Sequence, residues 1–168
     1  MTIYLFDTNV LIDANRDYYP IDRIPEFWDW LIYHANIGHI KVPYEILIEI
    51  QNGDDILATW AKKQEFEKAI LLEEEVDNGL LTKIVNEGYA SDLSDIEYEQ
   101  IGRDAFLMAY ALKDPENRQI ITTEVSKPSK RRANRHIPDI CNQFNIKWHH
   151  TFELTRILNF STNWKNEI

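Results

Sequence analysis

The 168-residue sequence has one cysteine, no long apolar run and fewer basic than acidic residues. Cys141 alone cannot form an internal disulfide, so we expect a reducing, cytoplasmic environment and a thiol buried as a small apolar group. The apolar runs are too short to span a membrane. The first residues lack the basic start and long apolar middle of a signal peptide. No internal repeat or low-complexity linker divides the chain, which predicts one domain over residues 1–168.

The basic residues are unevenly distributed along the chain. The net charge of −10 by itself disfavours a protein that binds nucleic acid regardless of sequence. However, residues 1–117 contain 9 Lys and Arg against 24 Asp and Glu, whereas residues 118–168 contain 9 against 4. The chain therefore combines an acidic body with a basic C-terminal third, and nucleic acid remains a candidate partner.

Short apolar segments alternate with segments of helical periodicity. We predict strands at residues 3–6, 39–42, 118–124 and 146–148. The main helices are predicted at residues 25–38, 44–55, 56–69, 76–85, 102–112 and 151–160. Strands separated by helices indicate a central, mostly parallel sheet with right-handed crossovers and helices on both sides, which is an α/β fold.

Large aromatic residues are frequent in this pattern. We interpret five of them as parts of the core or of a homodimer surface: Trp28, Trp30, Trp60, Phe66 and Trp148. A second copy of the chain is therefore a candidate partner.

Four acidic residues occupy related places in the predicted fold. Asp7 follows the first strand and Glu124 ends the third, whereas Glu49 and Asp104 lie in helices. The carboxyl ends of parallel strands line one crevice, so Asp7 and Glu124 should face the same opening. Glu49 and Asp104 reach it only if their helices pass its rim. Glu45, one turn before Glu49, is an alternative to it.

Carboxylates that are brought together repel one another and favour a cation among them. Oxygen ligands of this kind suit Mg²⁺ or Mn²⁺, which commonly share their coordination with a phosphate. Two such ions about 4 Å apart can activate a water and stabilise the leaving oxygen of a phosphodiester. This chemistry is the function that we predict for Asp7.

The motifs LFDTNVLID, VPYEILIEI, GRDAFLMAYAL and ITTE contain the four acids. Together they resemble the acidic positions of PIN-domain ribonucleases, a family that includes the VapC-type toxins of bacterial toxin–antitoxin pairs. The tail KPSKRRANRHIPDIC is similar to a PIN-like branch of proteins of unknown function. The resemblance spans roughly residues 3–150. It implies a PIN-like three-layer α/β/α sandwich, RNA as the substrate and an antitoxin protein as a partner.

The resemblance implies a catalytic role, as ligands of one or two Mg²⁺ or Mn²⁺ ions, for Asp7, Glu49, Asp104 and Glu124. It also implies that Thr8, Asn9 and Thr123 hydrogen-bond these ligands or the phosphate. The fourth acid is usually an aspartate, whereas Glu124 reaches one methylene further. Asp139 in the IPDIC stretch is therefore a rival or supplementary metal ligand.

A basic segment, KPSKRRANRH, follows Glu124. It contains five of the 18 basic residues of the chain, namely Lys127, Lys130, Arg131, Arg132 and Arg135. Its position predicts that it holds an RNA backbone beside the metal site. A solvated loop and an antitoxin-binding strip are the alternatives.

Three other functions fit parts of the pattern. A non-catalytic PIN-like scaffold would share the sheet but bind no catalytic ions, and the replacement of an aspartate by Glu124 favours it. A haloacid-dehalogenase-type phosphatase also has an aspartate after its first strand, but it would have a second acid where this chain has Asn9. A transcriptional or antitoxin-like binding module would need a basic recognition helix, whereas the basic residues here lie in a predicted loop.

Overall fold

The computed structural model describes all 168 residues. Its four strands are β1 (Ile3–Phe6), β2 (Ile40–Lys41), β3 (Arg118–Ile121) and β4 (Trp148–His149). They form one sheet in the order β2-β1-β3-β4, and every neighbouring pair is parallel. The predicted α/β fold with a parallel central sheet is confirmed, and the arrangement is consistent with a three-layer sandwich.

Ten α-helices accompany the sheet. They are α1 (Thr8–Asp13), α2 (Pro25–Asn36), α3 (Tyr44–Gln51), α4 (Ile56–Ala61), α5 (Gln64–Ile70), α6 (Asn78–Lys83), α7 (Asp95–Ile101), α8 (Asp104–Leu112), α9 (Ile137–Gln143) and α10 (Thr151–Ile157). π-helical segments extend α1 over Ala14–Tyr18 and α6 over Ile84–Tyr89. The helix predicted at 56–69 is two helices, because Lys63 adopts an extended backbone conformation between them. None of the helices has the length and apolar character needed to cross a lipid bilayer.

The two central strands create a topological switch point. From β1 the chain passes to β2 at one edge of the sheet, and from β3 it passes to β4 at the other edge. The register pairs Phe6 with Ile121, so the residues that follow β1 and β3 emerge side by side. Parallel sheets bind ligands in the crevice outside the strand ends at such a point. Asp7 and Thr122 are the first residues beyond the two strands.

A continuous cluster of 40 buried residues forms the core, in which helices pack against both central strands. Trp28, Trp30, Trp60 and Phe66 belong to this cluster, and none of them is more than 7% exposed. These four aromatic residues therefore stabilise the core and are not a free dimer surface, whereas Trp148 at the sheet edge is partly exposed. Cys141 is fully buried, in agreement with the prediction of a small apolar group.

Candidate active site

Asp7 is buried directly after β1, with only 3% of its surface exposed. Its Oδ2 accepts a hydrogen bond from Thr122 Oγ1 at 3.1 Å. Although Asp7 is the N-cap residue of α1, its side chain makes no capping hydrogen bond. Burial raises the pKa of Asp7 to about 7, against the lowering effect of Thr122 and with a further increase from the charge of Glu124. The buried position of Asp7 thus destabilises its ionised carboxylate. Together with the missing capping hydrogen bond, this indicates that the side chain has a role other than capping α1.

Asp104 is the first residue of α8 and follows the turn at Gly102, which has a φ of +58°. Burial raises the pKa of Asp104 well above its ordinary value, and the negative charges of Asp7, Glu124 and Glu49 raise it further. No hydrogen bond to the carboxylate offsets these effects. Acids from four separate segments of the chain therefore lie within electrostatic reach of one another.

Glu49 extends from α3 toward α1, where its Oε2 accepts a hydrogen bond from Thr8 Oγ1 at 2.8 Å. Its charge contributes to the raised pKa values of both Asp7 and Asp104. The alternative acid, Glu45, instead accepts a hydrogen bond from the Tyr110 hydroxyl at 3.4 Å. The structure therefore places Glu49, and not Glu45, at the group of acids.

Glu124 lies beyond the end of β3, in a loop connected to both Thr122 and α9. Its backbone N–H donates to Thr122 Oγ1 at 3.1 Å. Its Oε2 accepts a hydrogen bond from the backbone N–H of Ile137, the first residue of α9, at 2.7 Å. Glu124 influences the pKa of Asp7 and Asp104 while one of its oxygens is engaged by this helix. We call Asp7, Glu49, Asp104 and Glu124 the carboxylate cluster.

Directly after β3, the hydroxyl that contacts the cluster belongs to Thr122 rather than to the predicted Thr123. Thr122 is fully buried and donates to Asp7, whereas Thr123 is only partly buried. The alignment of Phe6 with Ile121 puts Thr122 next to Asp7, and sequence alone did not reveal that register. Thr8 orients Glu49, as described above, and Asn9 is exposed on α1.

Asp139 has a different environment from the cluster. It is 8% exposed, and its Oδ1 accepts a hydrogen bond from Ser126 Oγ at 2.5 Å. Its Oδ2 accepts one from the backbone N–H of Lys127 at 2.8 Å. Both oxygens are thus used to hold the start of the basic segment against α9, which argues against the predicted role of Asp139 as a metal ligand.

All three arginines in the basic segment are also engaged within the protein. Arg132 pairs with Asp92 at 2.7 Å and with Glu97 at 2.8 Å. Arg135 donates to the backbone carbonyl of Gly88 and to Gln143 Oε1. Arg131 donates to the carbonyl oxygens of Pro128 and Lys130. The segment is therefore folded onto the body of the protein, and the predicted contact with RNA cannot use all five basic side chains in this arrangement.

A cleft of about 240 Å³ lies between the carboxylate cluster and the basic segment. Its lining includes the acids Asp104 and Glu124 and, from the basic segment, Lys130, Arg135 and His136. Side chains of both charges thus line one small, open space. An anionic group that enters the cleft would find basic side chains within reach of the carboxylates.

A family model described as "Domain of unknown function (DUF4411)" matches residues 4–162. The chain belongs to the DUF4411 family. No match was found among curated proteins or among solved structures. The matched range includes the whole carboxylate cluster and the basic segment, so both are parts of the DUF4411 domain.

The donor set of this DUF4411 domain suits a hard divalent cation, because carboxylate oxygens are the ligands that Mg²⁺ and Mn²⁺ prefer. A further donor is close by. The buried Tyr89 hydroxyl has no hydrogen-bond partner, and its pKa is raised by burial and by Asp104 and Glu124. No group of three or more His, Cys, Asp or Glu side chains has the geometry of a ready-made metal site.

We expect Asp139→Ala to lower the free energy of unfolding of the DUF4411 domain by about 2–4 kcal/mol, because it leaves two donors without their buried carboxylate. Urea denaturation followed by circular dichroism measures this change. Exposed Asp54→Ala is the matched control and should stay within about 0.5 kcal/mol of wild type. An Asp139→Ala protein of unchanged stability that binds Mn²⁺ more weakly would instead favour the metal-ligand role.

Proposed function

We propose that this protein is a ribonuclease that hydrolyses RNA phosphodiester bonds with Mg²⁺ or Mn²⁺. One observation carries the proposal: Asp7, Glu49, Asp104 and Glu124 come from four separate segments and influence one another electrostatically at the sheet switch point. Buried acids with raised pKa values destabilise the protein unless a ligand compensates for them. Their similarity to the acidic positions of PIN-domain ribonucleases supports the same function.

The side chains around the cluster have separate roles in this proposal. Thr122 and Thr8 orient the carboxylates of Asp7 and Glu49 through the hydrogen bonds described above. Lys130, which lines the same cleft as Asp104 and Glu124, attracts and neutralises the phosphate of the substrate. The four acids of the cluster would hold a divalent cation, which would supply an activated water and the charge that stabilises the leaving oxygen. The burial of Asp7 excludes bulk water from its part of the cluster.

The proposed biological role is that of a toxin in a toxin–antitoxin pair, which acts in the cytoplasm and is inhibited by an antitoxin protein. The resemblance to VapC-type toxins supports this role. The acidic body and basic C-terminal third also offer a partner protein two surfaces of opposite charge.

A non-catalytic PIN-like scaffold is the second candidate. One observation favours it: an oxygen of Glu124 already accepts a hydrogen bond from the backbone N–H of Ile137. In that case the protein would have the carboxylate cluster but would not cleave RNA, and Mn²⁺ would bind weakly or not at all.

The test is cleavage of a labelled RNA that contains a hairpin and unpaired regions, assayed with the full chain on denaturing gels. We expect cleavage with Mg²⁺ or Mn²⁺, its loss on addition of a chelator, and its recovery when the ion is restored. A small phosphate monoester such as para-nitrophenyl phosphate should not be hydrolysed. Hydrolysis of the monoester alone would favour the phosphatase, and inactivity toward both substrates without Mn²⁺ binding in calorimetry would favour the scaffold.

A further inference from the structure

A second cavity adjoins the carboxylate cluster and contains no residue of the basic segment. Its volume is about 520 Å³, within the range of cavities that bind small molecules. It lies between α3, α7 and the turn into α8, and it is lined by Glu49, Asn52, Tyr98, Glu99, Gly102 and Arg103. Glu49 belongs to both the cavity and the cluster, so any group in this cavity lies next to the proposed reaction centre.

Tyr98 presents an aromatic surface to this cavity. Its side chain belongs to α7 and the residue is 49% exposed, although large aromatic residues elsewhere in the chain are mostly buried. A capping box between Ser94 and Glu97 fixes the start of α7. Unpaired nucleobases stack on exposed aromatic rings, and a ring held on a capped helix loses little conformational entropy when it binds.

Arg103 adds a cationic group beside Tyr98. It is exposed and takes part in no salt bridge, in contrast to Arg132 and Arg118, which are paired with glutamates. Arg103 follows the turn at Gly102, which has a φ of +58°, directly precedes Asp104 of α8 and lines the same cavity as Tyr98 of α7. A guanidinium in this position can bind a phosphate that connects a base on Tyr98 to a scissile bond at the cluster.

The polar groups of the cavity can interact with the edge of a base. Asn52 offers both a donor and an acceptor, and the carboxylate of Glu99 accepts hydrogen bonds from exocyclic amines. The same carboxylate repels a phosphate, so the base and not the backbone should occupy that part of the cavity. The two cavities that share residues with the cluster thus differ, because one includes Lys130 and Arg135 and the other includes Tyr98 and Asn52.

We infer that this cavity binds one unpaired nucleotide of the RNA substrate, next to the scissile bond, with its base stacked on Tyr98 and its phosphate on Arg103. This inference rests on the proposed ribonuclease function. It adds a specificity for single-stranded RNA, because a base within a duplex cannot leave its stack to reach Tyr98 without loss of pairing.

Tyr98→Ala tests the stacking contact. We expect it to weaken binding of a labelled single-stranded RNA hexamer about 10-fold, measured by fluorescence anisotropy with a chelator present to prevent cleavage. KM for the single strand should rise by a similar factor, with a smaller change in kcat. Tyr98→Phe keeps the ring and should recover most of the affinity. Tyr44→Ala is the matched control, because Tyr44 is 57% exposed but lines a separate cavity.

Arg103→Ala tests the phosphate contact through the salt dependence of binding. Loss of one contact should make the slope of log affinity against log salt shallower by about 0.7 for a single strand. Arg23→Ala, at an exposed arginine outside the cavity, should leave the slope unchanged. If Tyr98→Ala and Arg103→Ala both behave like their controls while the wild type binds and cleaves RNA, the cavity is not a nucleotide site. If the wild type neither binds nor cleaves RNA, the proposed function fails together with this inference.

Discussion

Asp7→Asn is expected to lower kcat for RNA cleavage by about 10³-fold or more, with little change in the fold. The substitution removes a negative charge from the most buried member of the carboxylate cluster and keeps the shape of the side chain. Loss of one carboxylate ligand of a catalytic cation costs several kcal/mol of transition-state stabilisation, and each 1.36 kcal/mol is a factor of ten in rate. Cleavage of labelled RNA under single-turnover conditions with saturating Mn²⁺ measures the effect.

Two controls make the result specific. Asp54→Asn changes an exposed acid outside the cluster and should cleave RNA at the wild-type rate. Near-ultraviolet circular dichroism should show that Asp7→Asn keeps the native packing of its aromatic core. Wild-type cleavage by a folded Asp7→Asn protein would mean that the nuclease activity uses another site.

The fold was predictable because its signals are local. The apolar run Ile3–Phe6 ends at an acid, and the observed β1 has the predicted bounds. The predicted third strand was longer than β3, which ends at Ile121, because the backbone N–H of Glu124 donates to the Thr122 hydroxyl and not to a neighbouring strand. Apolar periodicity defines where strands and helices occur, whereas side-chain hydrogen bonds at strand ends decide where they stop.

The meeting of the four acids could be expected only in part. Asp7 and Glu124 follow adjacent parallel strands, so the rule for switch points places them together. Asp104 and Glu49 depend on the paths of α8 and α3, which the sequence does not encode in any local pattern. Thr122, and not the predicted Thr123, contacts Asp7 because of the register of β1 against β3. A shift of the register by one residue would exchange the positions of the two threonines.

The partners of charged side chains were the least predictable feature. Arg132 pairs with Asp92 and Glu97, which lie 40 and 35 residues away in the sequence. The positive charge of the basic segment predicted that it binds an anion. In the structure, part of that charge is neutralised by acidic side chains of the protein itself. Asp139 likewise is a carboxylate that could bind a metal, but its oxygens accept hydrogen bonds from Ser126 and Lys127 in the neighbouring loop. Long-range ion pairs have no short sequence pattern, so only the three-dimensional arrangement separates free charges from paired ones.

The free energy of unfolding without divalent ions should fall as the pH rises from 4 to 7, by up to about 4 kcal/mol from Asp7 alone. In the unfolded chain Asp7 ionises near its ordinary pKa of 3.8, whereas burial raises the native pKa to about 7. Between these values the native state retains a proton that the unfolded state has lost, so ionisation favours unfolding. Asp104, whose pKa is also raised, adds a contribution of the same sign.

Urea denaturation in a chelator at a series of pH values measures this trend, and the difference between wild type and Asp7→Asn isolates Asp7. The difference is needed because Glu74, whose pKa is lowered by Arg118, changes stability in the opposite direction. We expect Asp7→Asn to exceed wild type in stability at pH 8 and to approach it at pH 4. Added Mn²⁺ should stabilise wild type more strongly as the pH rises, and Asp7→Asn much less. Parallel curves for the two proteins would show that Asp7 is ionised in the native state without a cation, and the electrostatic basis of the metal site would then be wrong.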